Sequence, residues 1–517
     1  MSDTIVNNKR IAKNTLVVYA NMFLSMVIGL ISSRIVLQAL GVSDYGLYSV
    51  IGGVVVLFAF VSDSLSLTTV RFVNVENGKP DGDVNRVFNV CRLLHIVLAV
   101  LLLLAVEMGG IYYIRHFLNV DPGKEEDAMF VFQVAAVTWC IGVTNVPYSS
   151  MFNANEKFLF NAIVNLSGKL VILGLLFGLL HYEGNRLRAY ALIAMVFTLL
   201  QFLAFHLFSY RYWPVEVKWK LVKEWRAYKD VIAFSNYNLL SGICFMARGQ
   251  GSALLINFFF GTWVNGAYAV AKMVENYLQS FSNNIRNAAA PQVTQSYSGG
   301  DLERVYYLTS RTGKYAMFLL LLVFFPLWAE LEFVMRLWLG VVPEGTLILT
   351  RLTMLMAFIV VTDGGIWLVV NASGRVARFL TVYSVITLST IPLGFMILKA
   401  GAPAYMLLVL FVVADILWRF IQLIMASRII NFPVARYCRD TYLPVLLVSL
   451  LVLLALFLTA LVHSDTTFWH LSRLLLIFVL TIVIIFFVGL RESERNVIIR
   501  RFPHLDFLKR LCTKGWS

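Results

Sequence analysis

A succession of long apolar segments with few charges inside them is the feature that most constrains this chain. Only 14% of its 517 residues are charged, against about 25% in an ordinary soluble domain, while 59% are hydrophobic and the mean hydropathy is +0.76. Inside a lipid bilayer every backbone polar group must be paired within the protein, so such runs form spanning helices. The length allows about 14 spans. The sequence therefore predicts an all-α, polytopic membrane protein.

Apolar runs bounded by polar, glycine or proline breaks give the predicted helices. Their residues are 11–40, 45–74, 86–115, 127–153, 158–181, 187–212, 230–260, 263–291, 304–336, 345–372, 376–399, 403–430, 441–463 and 470–490. Six helices form a first lobe (1–213) and six more, after a basic amphipathic linker, a second lobe (214–432). The last two helices and a basic cytoplasmic tail make up 433–517.

The two lobes are predicted to be copies of one another, because a motif after the first helix returns 220 positions later. The two copies are Gly41, Asp44, Tyr45, Gly46, Tyr48, Val50 and Gly261, Asn265, Gly266, Tyr268, Val270. A second echo, 153–157 against 371–375, has nearly the same offset. Duplicated helical bundles are the usual basis of alternating access, in which one half rocks against the other around a midplane site.

Basic residues predict the orientation. Most of the 43 Lys and Arg fall in connections on the side of both termini, which the positive-inside rule assigns to the cytoplasm. The net charge of +14 is then explained by basic clusters that contact anionic membrane lipids, and no nucleic-acid partner is predicted.

Charged residues inside the predicted spans are the first candidates for a functional site. Such a residue costs about 2.5–3.5 kcal/mol at the bilayer centre, so it normally faces a bundle interior or a water-filled cavity. The candidates are Arg34, Asp63, Lys169, Arg248, Lys272, Glu275, Asp363, Asp415 and Arg419. Arg34 has the alternative of extending its head to the interface. Lys272 with Glu275, and Asp415 with Arg419, have the spacing of ion pairs within one helix.

Helix 263–291 shows the clearest pattern, a polar stripe at steps of three, four and seven residues. Its members are Asn265, Lys272, Asn276, Gln279, Asn283 and Arg286. The stripe predicts a hydrated cavity, and interhelical hydrogen bonding in a tight bundle is the alternative. Arg and Lys side chains suit phosphate or pyrophosphate, and amides suit sugars. The carboxylates suit a coupling cation, H⁺ or Na⁺, or act as salt-bridge partners.

Enzyme signatures are weak in this sequence. No G-x-S-x-G, H-E-x-x-H or P-loop stands in a catalytic context, and the five cysteines are scattered without C-x-x-C spacing. We predict no catalytic residue, no metal ligand and no cofactor apart from a coupling cation.

The N-terminal motifs resemble a known family. Lys13-Asn14-Thr15 opens the first helix, Leu40-Gly41-Val42-Ser43-Asp44-Tyr45-Gly46-Leu47-Tyr48 follows it, and Arg71-Phe72 closes the second. This run resembles the Wzx-type polysaccharide and O-antigen flippases of the multidrug/oligosaccharidyl-lipid/polysaccharide exporter superfamily. The resemblance implies an undecaprenyl-pyrophosphate-linked oligosaccharide as substrate, with Lys272, Arg248 and Arg34 at positions suited to the pyrophosphate.

Together these patterns predict a flippase of the bacterial inner membrane that serves O-antigen or capsule synthesis by alternating access. The polysaccharide polymerase and glycosyltransferases of the same pathway are its expected partners. Two alternatives remain: a cation-coupled exporter of small molecules or drugs from the same superfamily, and a membrane glycan polymerase or glycosyltransferase.

Overall fold

The computed structural model describes residues 2–56, 59–77, 79, 81–155, 157–461 and 466–501. It leaves out the side chains of 2–19, 22, 55, 56, 59–64, 67, 233–245, 281, 282, 284, 287, 288, 291, 497, 498, 500 and 501. Every regular element in the described part is helical, which confirms the predicted all-α class. In chain order the helices are α1 Ser2–Val56, α2 Ala59–Asn77, α3 Val84–His116, α4 Glu125–Ala154, α5 Phe158–Leu180, α6 Arg186–Tyr212, α7 Trp225–Ser298, α8 Leu302–Ala329, α9 Leu331–Leu339, α10 Thr346–Val361, α11 Gly364–Ser373, α12 Val376–Lys399, α13 Tyr405–Ile430, α14 Val434–Tyr437, α15 Leu443–Ala460, α16 Thr467–Ile484 and α17 Glu492–Arg501.

Two of these helices, α1 and α7, are each broken at a single glycine. Gly41 has φ 79° and ψ 175°, and Gly261 has φ 75° and ψ −171°. This backbone region is essentially restricted to glycine. The duplicated glycine therefore serves the same purpose twice, dividing α1 into limbs 2–40 and 42–56 and α7 into limbs 225–260 and 262–298.

Membrane-spanning character is clear in the described residues. Eleven helices are long and apolar enough to cross a bilayer, or twelve if α10 and α11, bent by 44°, form one span. Two of the eleven segments, Phe23–Val54 and Met246–Ser280, include the breaks at Gly41 and Gly261. The count of 14, which treats the limbs separately, stays a prediction.

Two predicted helices are interrupted in the structure. The predicted helix 304–336 ends at Ala329 as α8, which contains Pro326, and continues after Glu330 as α9. The predicted helix 345–372 bends between α10 and α11, where Thr362 and Asp363 form a turn. The turn makes Asp363 an interhelical residue rather than one within a straight span.

The chain divides into two compact units. Unit 1 comprises Met1–Ala269, Trp338–Gly345 and Thr387–Ala404, and unit 2 comprises Val270–Leu337, Thr346–Ile386 and Tyr405–Ser517. In unit 1, Leu47, Val131 and Phe132 belong to a core in which α1 packs with α3, α4 and α6. In unit 2, Val369, Phe379 and Trp418 belong to a second core. The predicted lobe boundary at 213–214, which rests on the repeat, does not coincide with these units and stays a prediction.

Both copies of the repeated motif meet within unit 1. A Cβ atom at Gly46 would overlap the backbone oxygen of Thr262, and one at Gly266 would come within 2.5 Å of the backbone oxygen of Val42. Gly46 and Gly266 are equivalent under the 220-residue offset, and so are Val42 and Thr262. The contact is therefore reciprocal, as in a two-fold symmetric interface. It is reinforced by a hydrogen bond from Asn265 Nδ2 to the Gly46 oxygen, 3.0 Å.

The two C-terminal apolar helices are mostly exposed. The spans Val434–Ala460 and Thr467–Gly489 have mean hydropathies of 2.8 and 2.9, with only 22% and 11% of their most apolar windows buried. Polar contacts attach α16 and the following helix, α17, to α8 and the residue after it. Arg473 of α16 pairs with Glu330 at 2.6 Å, and Glu494 of α17 pairs with Lys314 at 2.6 Å.

Candidate functional site

The predicted polar stripe lies on limb 262–298 of α7, and its described part from Lys272 onward belongs to unit 2. Lys272 Nζ lies 2.8 Å from Glu275 Oε2, so the predicted i, i+3 ion pair is confirmed. Gln279 Nε2 donates to the other carboxylate oxygen of Glu275 at 2.9 Å. The Glu275 side chain is 4% exposed whereas that of Lys272 is 32% exposed. The buried carboxylate of Glu275 therefore positions the ammonium group of Lys272, whose side chain is partly exposed.

One and two turns beyond Gln279, at Asn283 and Arg286, the stripe meets a second group, which we call the Asp363 network. Asp363 Oδ1 accepts from Arg419 Nη1 at 3.1 Å and from Gln422 Nε2. Arg286 donates to Asn283, packs next to Gly364 and interacts electrostatically with both Asp363 and Arg419. Two guanidinium groups, one of them ion-paired to Asp363, thus lie in the neighbourhood of one carboxylate. This excess of positive charge suits a phosphate oxygen.

The Asp363 network corrects one sequence-based pairing. Arg419 was expected to pair with Asp415 one turn away on the same helix, but its ion pair is with Asp363. The turn between α10 and α11 brings Asp363 next to α13, and Gln422 on α13 bridges the two side chains. Asp415 is buried, with 4% of its surface exposed.

The remaining predicted site residues are placed as follows. Arg34 is exposed on α1, whereas Lys169 on α5 and Arg248 on α7 are half-buried, and all three belong to unit 1. Asn276 in unit 2 is exposed on the same stripe as Lys272. The Asp63 side chain lies outside the described residues. In unit 2 the structure pairs Lys272 with Glu275 on α7, and it pairs Asp363, which precedes α11, with Arg419 on α13.

Sequence reasoning missed a second polar site, a pocket of about 400 Å³ in unit 1. We call it the amide pocket, and its lining residues are Asn21, Asn145, Ser149, Asn153, Phe158, Asn161, Ala162, Asn165, Gln201 and Phe205. The spacing carries a signal that could have found it, because the polar residues recur every three or four positions on α4 and α5. A search restricted to charges passes over them.

Metal coordination has no support in the described part of the chain, where no group of three or more His, Cys, Asp or Glu side chains is arranged to hold an ion. The chemistry at hand is hydrogen bonding and ion pairing. Such groups bind and orient a ligand.

Superposition on solved structures shows that the fold is that of transporters of the MOP superfamily. The chain superposes on the lipid II flippase MurJ in an inward closed conformation with a TM-score of 0.67 and 14% identity, over 92% of this chain and 98% of that one. An inward-facing multidrug resistance MATE family transporter gives 0.62 and 12%, over 82% and 99%. An outward-facing multidrug resistance transporter of the same MATE family gives 0.57 and 13%, over 83% and 96%.

Family membership comes from the sequence itself. Residues 11–296 match the model of the polysaccharide biosynthesis protein family. The chain belongs to that family. No curated protein matches the sequence at a significant level.

Proposed function

We propose that this protein flips a polyprenyl-pyrophosphate-linked oligosaccharide across the bacterial inner membrane during the synthesis of a surface polysaccharide such as O-antigen or capsule. The observation that carries the proposal is the likeness to a lipid II flippase over nearly the full length of both chains. The family match to polysaccharide biosynthesis proteins points to the same kind of substrate.

Coverage favours a lipid-linked substrate over a small drug. A MATE drug transporter is covered almost completely by 82% of this chain, so a substantial part of this chain has no counterpart there. The superposition on the lipid II flippase covers 92% of this chain and so leaves much less of it unmatched. In this proposal α15 and α16, with their exposed apolar faces, accompany the long lipid tail.

The unit 2 site supplies the binding chemistry for the head of that lipid. Lys272, supported by Glu275, and the Asp363 network with Arg286 offer positive groups to a pyrophosphate. Arg34, Lys169 and Arg248, which belong to unit 1, stay predicted cavity residues of this proposal. Alternating access would then expose the bound head first to the cytoplasm, where both termini lie in this proposal, and then to the periplasm.

The carboxylates are the proposed sites of coupling to H⁺ or Na⁺. Asp363 and Glu275 are held by basic partners, whereas Asp415 is buried on α13. Anionic lipids at the cytoplasmic face and the polymerase and glycosyltransferases of the pathway are the proposed partners.

Replacing Lys272 tests the site in the cell. We expect Lys272→Ala to abolish surface polysaccharide, with the amount of protein in the membrane unchanged, because a point charge that binds pyrophosphate is lost. Lys272→Arg should restore part of the function. The measurement is surface glycan by electrophoresis and membrane protein by immunoblot, with Lys229→Ala, an exposed lysine before the first apolar part of α7, as the matched control.

Normal surface glycan in the Lys272→Ala strain would contradict the proposed site. A strain that lacks the protein, keeps its glycan and becomes sensitive to drugs would favour the drug-exporter alternative. A strain that makes glycan chains of altered length would favour a polymerase.

A further inference from the structure

We infer that the amide pocket of unit 1 is a binding site for the uncharged sugar hydroxyls of the transported lipid. The inference rests on the proposed function and deepens it, because it assigns the glycan and the pyrophosphate to different sets of residues. The pocket holds about 400 Å³, within the usual range for small-ligand sites.

Four helices build the pocket from faces that repeat with helical spacing. Asn145, Ser149 and Asn153 lie four residues apart on α4, Asn161 and Asn165 lie four apart on α5, and Gln201 with Phe205 does the same on α6, while Asn21 of α1 completes the lining. Polar faces inside apolar spans are costly unless they bond to each other or to a ligand.

Some polar side chains of the amide pocket hydrogen-bond to each other, and these bonds fix their positions. Gln201 Nε2 donates to Asn165 Oδ1 at 2.6 Å, Asn165 Nδ2 donates to the Asn161 backbone oxygen at 2.9 Å, and Asn161 donates to Asn153. These bonds run from α6 through α5 to α4. They hold the side chains in place without filling the pocket.

Three buried acceptors in the same lining are not satisfied within the described residues. The side-chain oxygens of Asn21, Asn145 and Asn161 have no hydrogen-bond donor there. Asn145 is only 8% exposed, so bulk water does not replace the missing donor. A buried acceptor without a donor loses the solvation that water would give it, so these oxygens need donors from a ligand or from water. Side chains that served only to link helices would have used all three.

The chemistry of the lining selects a neutral, donor-rich ligand. No Lys, Arg, Asp or Glu lines the pocket, so it has no ionic attraction for phosphate. Sugar hydroxyls both donate and accept hydrogen bonds, as amides do, and Phe158 and Phe205 offer apolar surface to the C–H faces of a sugar ring. Asn153 and Phe158 flank the connection 155–157, on the predicted cytoplasmic side where the glycan is made.

Binding measurements on the full-length protein in lipid nanodiscs test this inference, with two probes: undecaprenyl pyrophosphate carrying the oligosaccharide, and undecaprenyl pyrophosphate alone. For the double variant Asn145→Leu, Asn161→Leu we expect the affinity for the glycan-bearing lipid to fall about 10-fold, the effect of one or two lost hydrogen bonds. Affinity for the bare lipid should be unchanged. Lys272→Ala should weaken both probes alike.

Asn89→Leu is the matched control, because Asn89 is an equally buried asparagine of unit 1 whose amide nitrogen bonds to the backbone of Asn85 and Lys218. It should lower the Tm and leave the ratio of the two affinities unchanged, while Asn145→Leu alone should keep or raise the Tm. The sugar assignment would be overturned if the double variant lost the same affinity for both probes, or if its affinity for both were unchanged. It would also be overturned if the pocket bound Na⁺ and the double variant removed that binding. Unchanged affinity together with intact flipping would leave the proposed function standing.

Discussion

At the scale of single residues, two glycines determine where the polar connections of the repeat lie. Gly41 and Gly261 adopt the same left-handed, extended backbone, and the space around a Cβ at Gly41 is open. The requirement at Gly41 is therefore conformational rather than steric. A side chain there would strain the backbone by about 1–3 kcal/mol.

We expect Gly41→Ala to lower the free energy of unfolding by about 1–3 kcal/mol because of that strain. The control is Gly174→Ala in α5, which has the same open surroundings but ordinary helical geometry, and it should be neutral or stabilising by about 0.5–1 kcal/mol. Thermal unfolding of the purified protein in detergent compares the two. Equal stability of both variants would contradict the conformational requirement.

Close approach is a separate residue-scale requirement at Gly46. Its Cβ would overlap the Thr262 backbone, so relief would need the two limbs to separate. We expect Gly46→Val to destabilise more than Gly46→Ala, since a larger side chain forces a larger separation, and both to reduce surface glycan. Unfolding midpoints and glycan assays check this. A tolerated Gly46→Val would show that the reciprocal contact is dispensable.

At the scale of elements, α17 is attached to α8 by a buried ion pair. Glu494 receives hydrogen bonds from Lys314 at 2.6 Å and Tyr315 at 3.0 Å, and from the Arg491 backbone N–H at 2.9 Å. Burial alone would raise the pKa of Glu494, but these bonds, with Lys314 first, bring the pKa below its ordinary value. The carboxylate therefore stays charged in the folded protein.

Glu494→Gln should release α17, since it leaves Lys314 as a buried charge without its partner, and removing one member of such a pair costs about 3 kcal/mol or more. The expected result is faster proteolysis of the C-terminal tail and a lower Tm. Glu492→Gln, an exposed carboxylate of the same helix, is the control. Equal protease resistance in both variants would contradict the attachment.

The same carboxylate gives a pH dependence. Because its folded pKa lies below the unfolded value of about 4.3, its stabilising contribution is fully present above that pH and is lost as the pH falls through the lower folded pKa. In the wild-type protein, α17 should become more sensitive to protease in that acidic range, and Glu494→Gln should show a weaker pH dependence. Proteolysis at a series of pH values measures this.

Helix positions were largely predictable from the sequence, but partners between helices were not. The predicted helix 86–115 is found as Val84–His116, and 187–212 as Arg186–Tyr212, because apolar periodicity is a local property. Asp363 pairs with Arg419 across 56 positions, through a turn that hydropathy does not reveal. The polar stripe from Lys272 to Arg286 could be predicted because all its members lie on one helix.

The amide pocket was also difficult to predict from the sequence. Asn21, Asn145 and Gln201 belong to separate helices, and each alone resembles an ordinary interhelical hydrogen-bonding residue. Only the fold brings them to one pocket. Neutral residues also carry no insertion cost large enough to single them out in a sequence.

The whole molecule is a membrane protein of the polysaccharide biosynthesis family with a fold similar to that of a lipid II flippase. In our proposal, Lys272 and Arg286 bind the pyrophosphate and the amide pocket binds the sugars. Ion pairing suits the pyrophosphate and hydrogen bonding suits the sugars of one lipid-linked substrate.

Transbilayer movement of the lipid in a reconstituted system tests whether this protein is a flippase. Purified protein is placed in liposomes with a fluorescent undecaprenyl-pyrophosphate oligosaccharide, and a membrane-impermeant reagent measures how much of the lipid reaches the outer leaflet. We expect wild-type protein to make nearly all of the lipid accessible, and Lys272→Ala to leave it near the fraction found in protein-free liposomes. The contradicting result is that liposomes with the wild-type protein expose no more lipid than protein-free liposomes do, both with and without an imposed H⁺ or Na⁺ gradient.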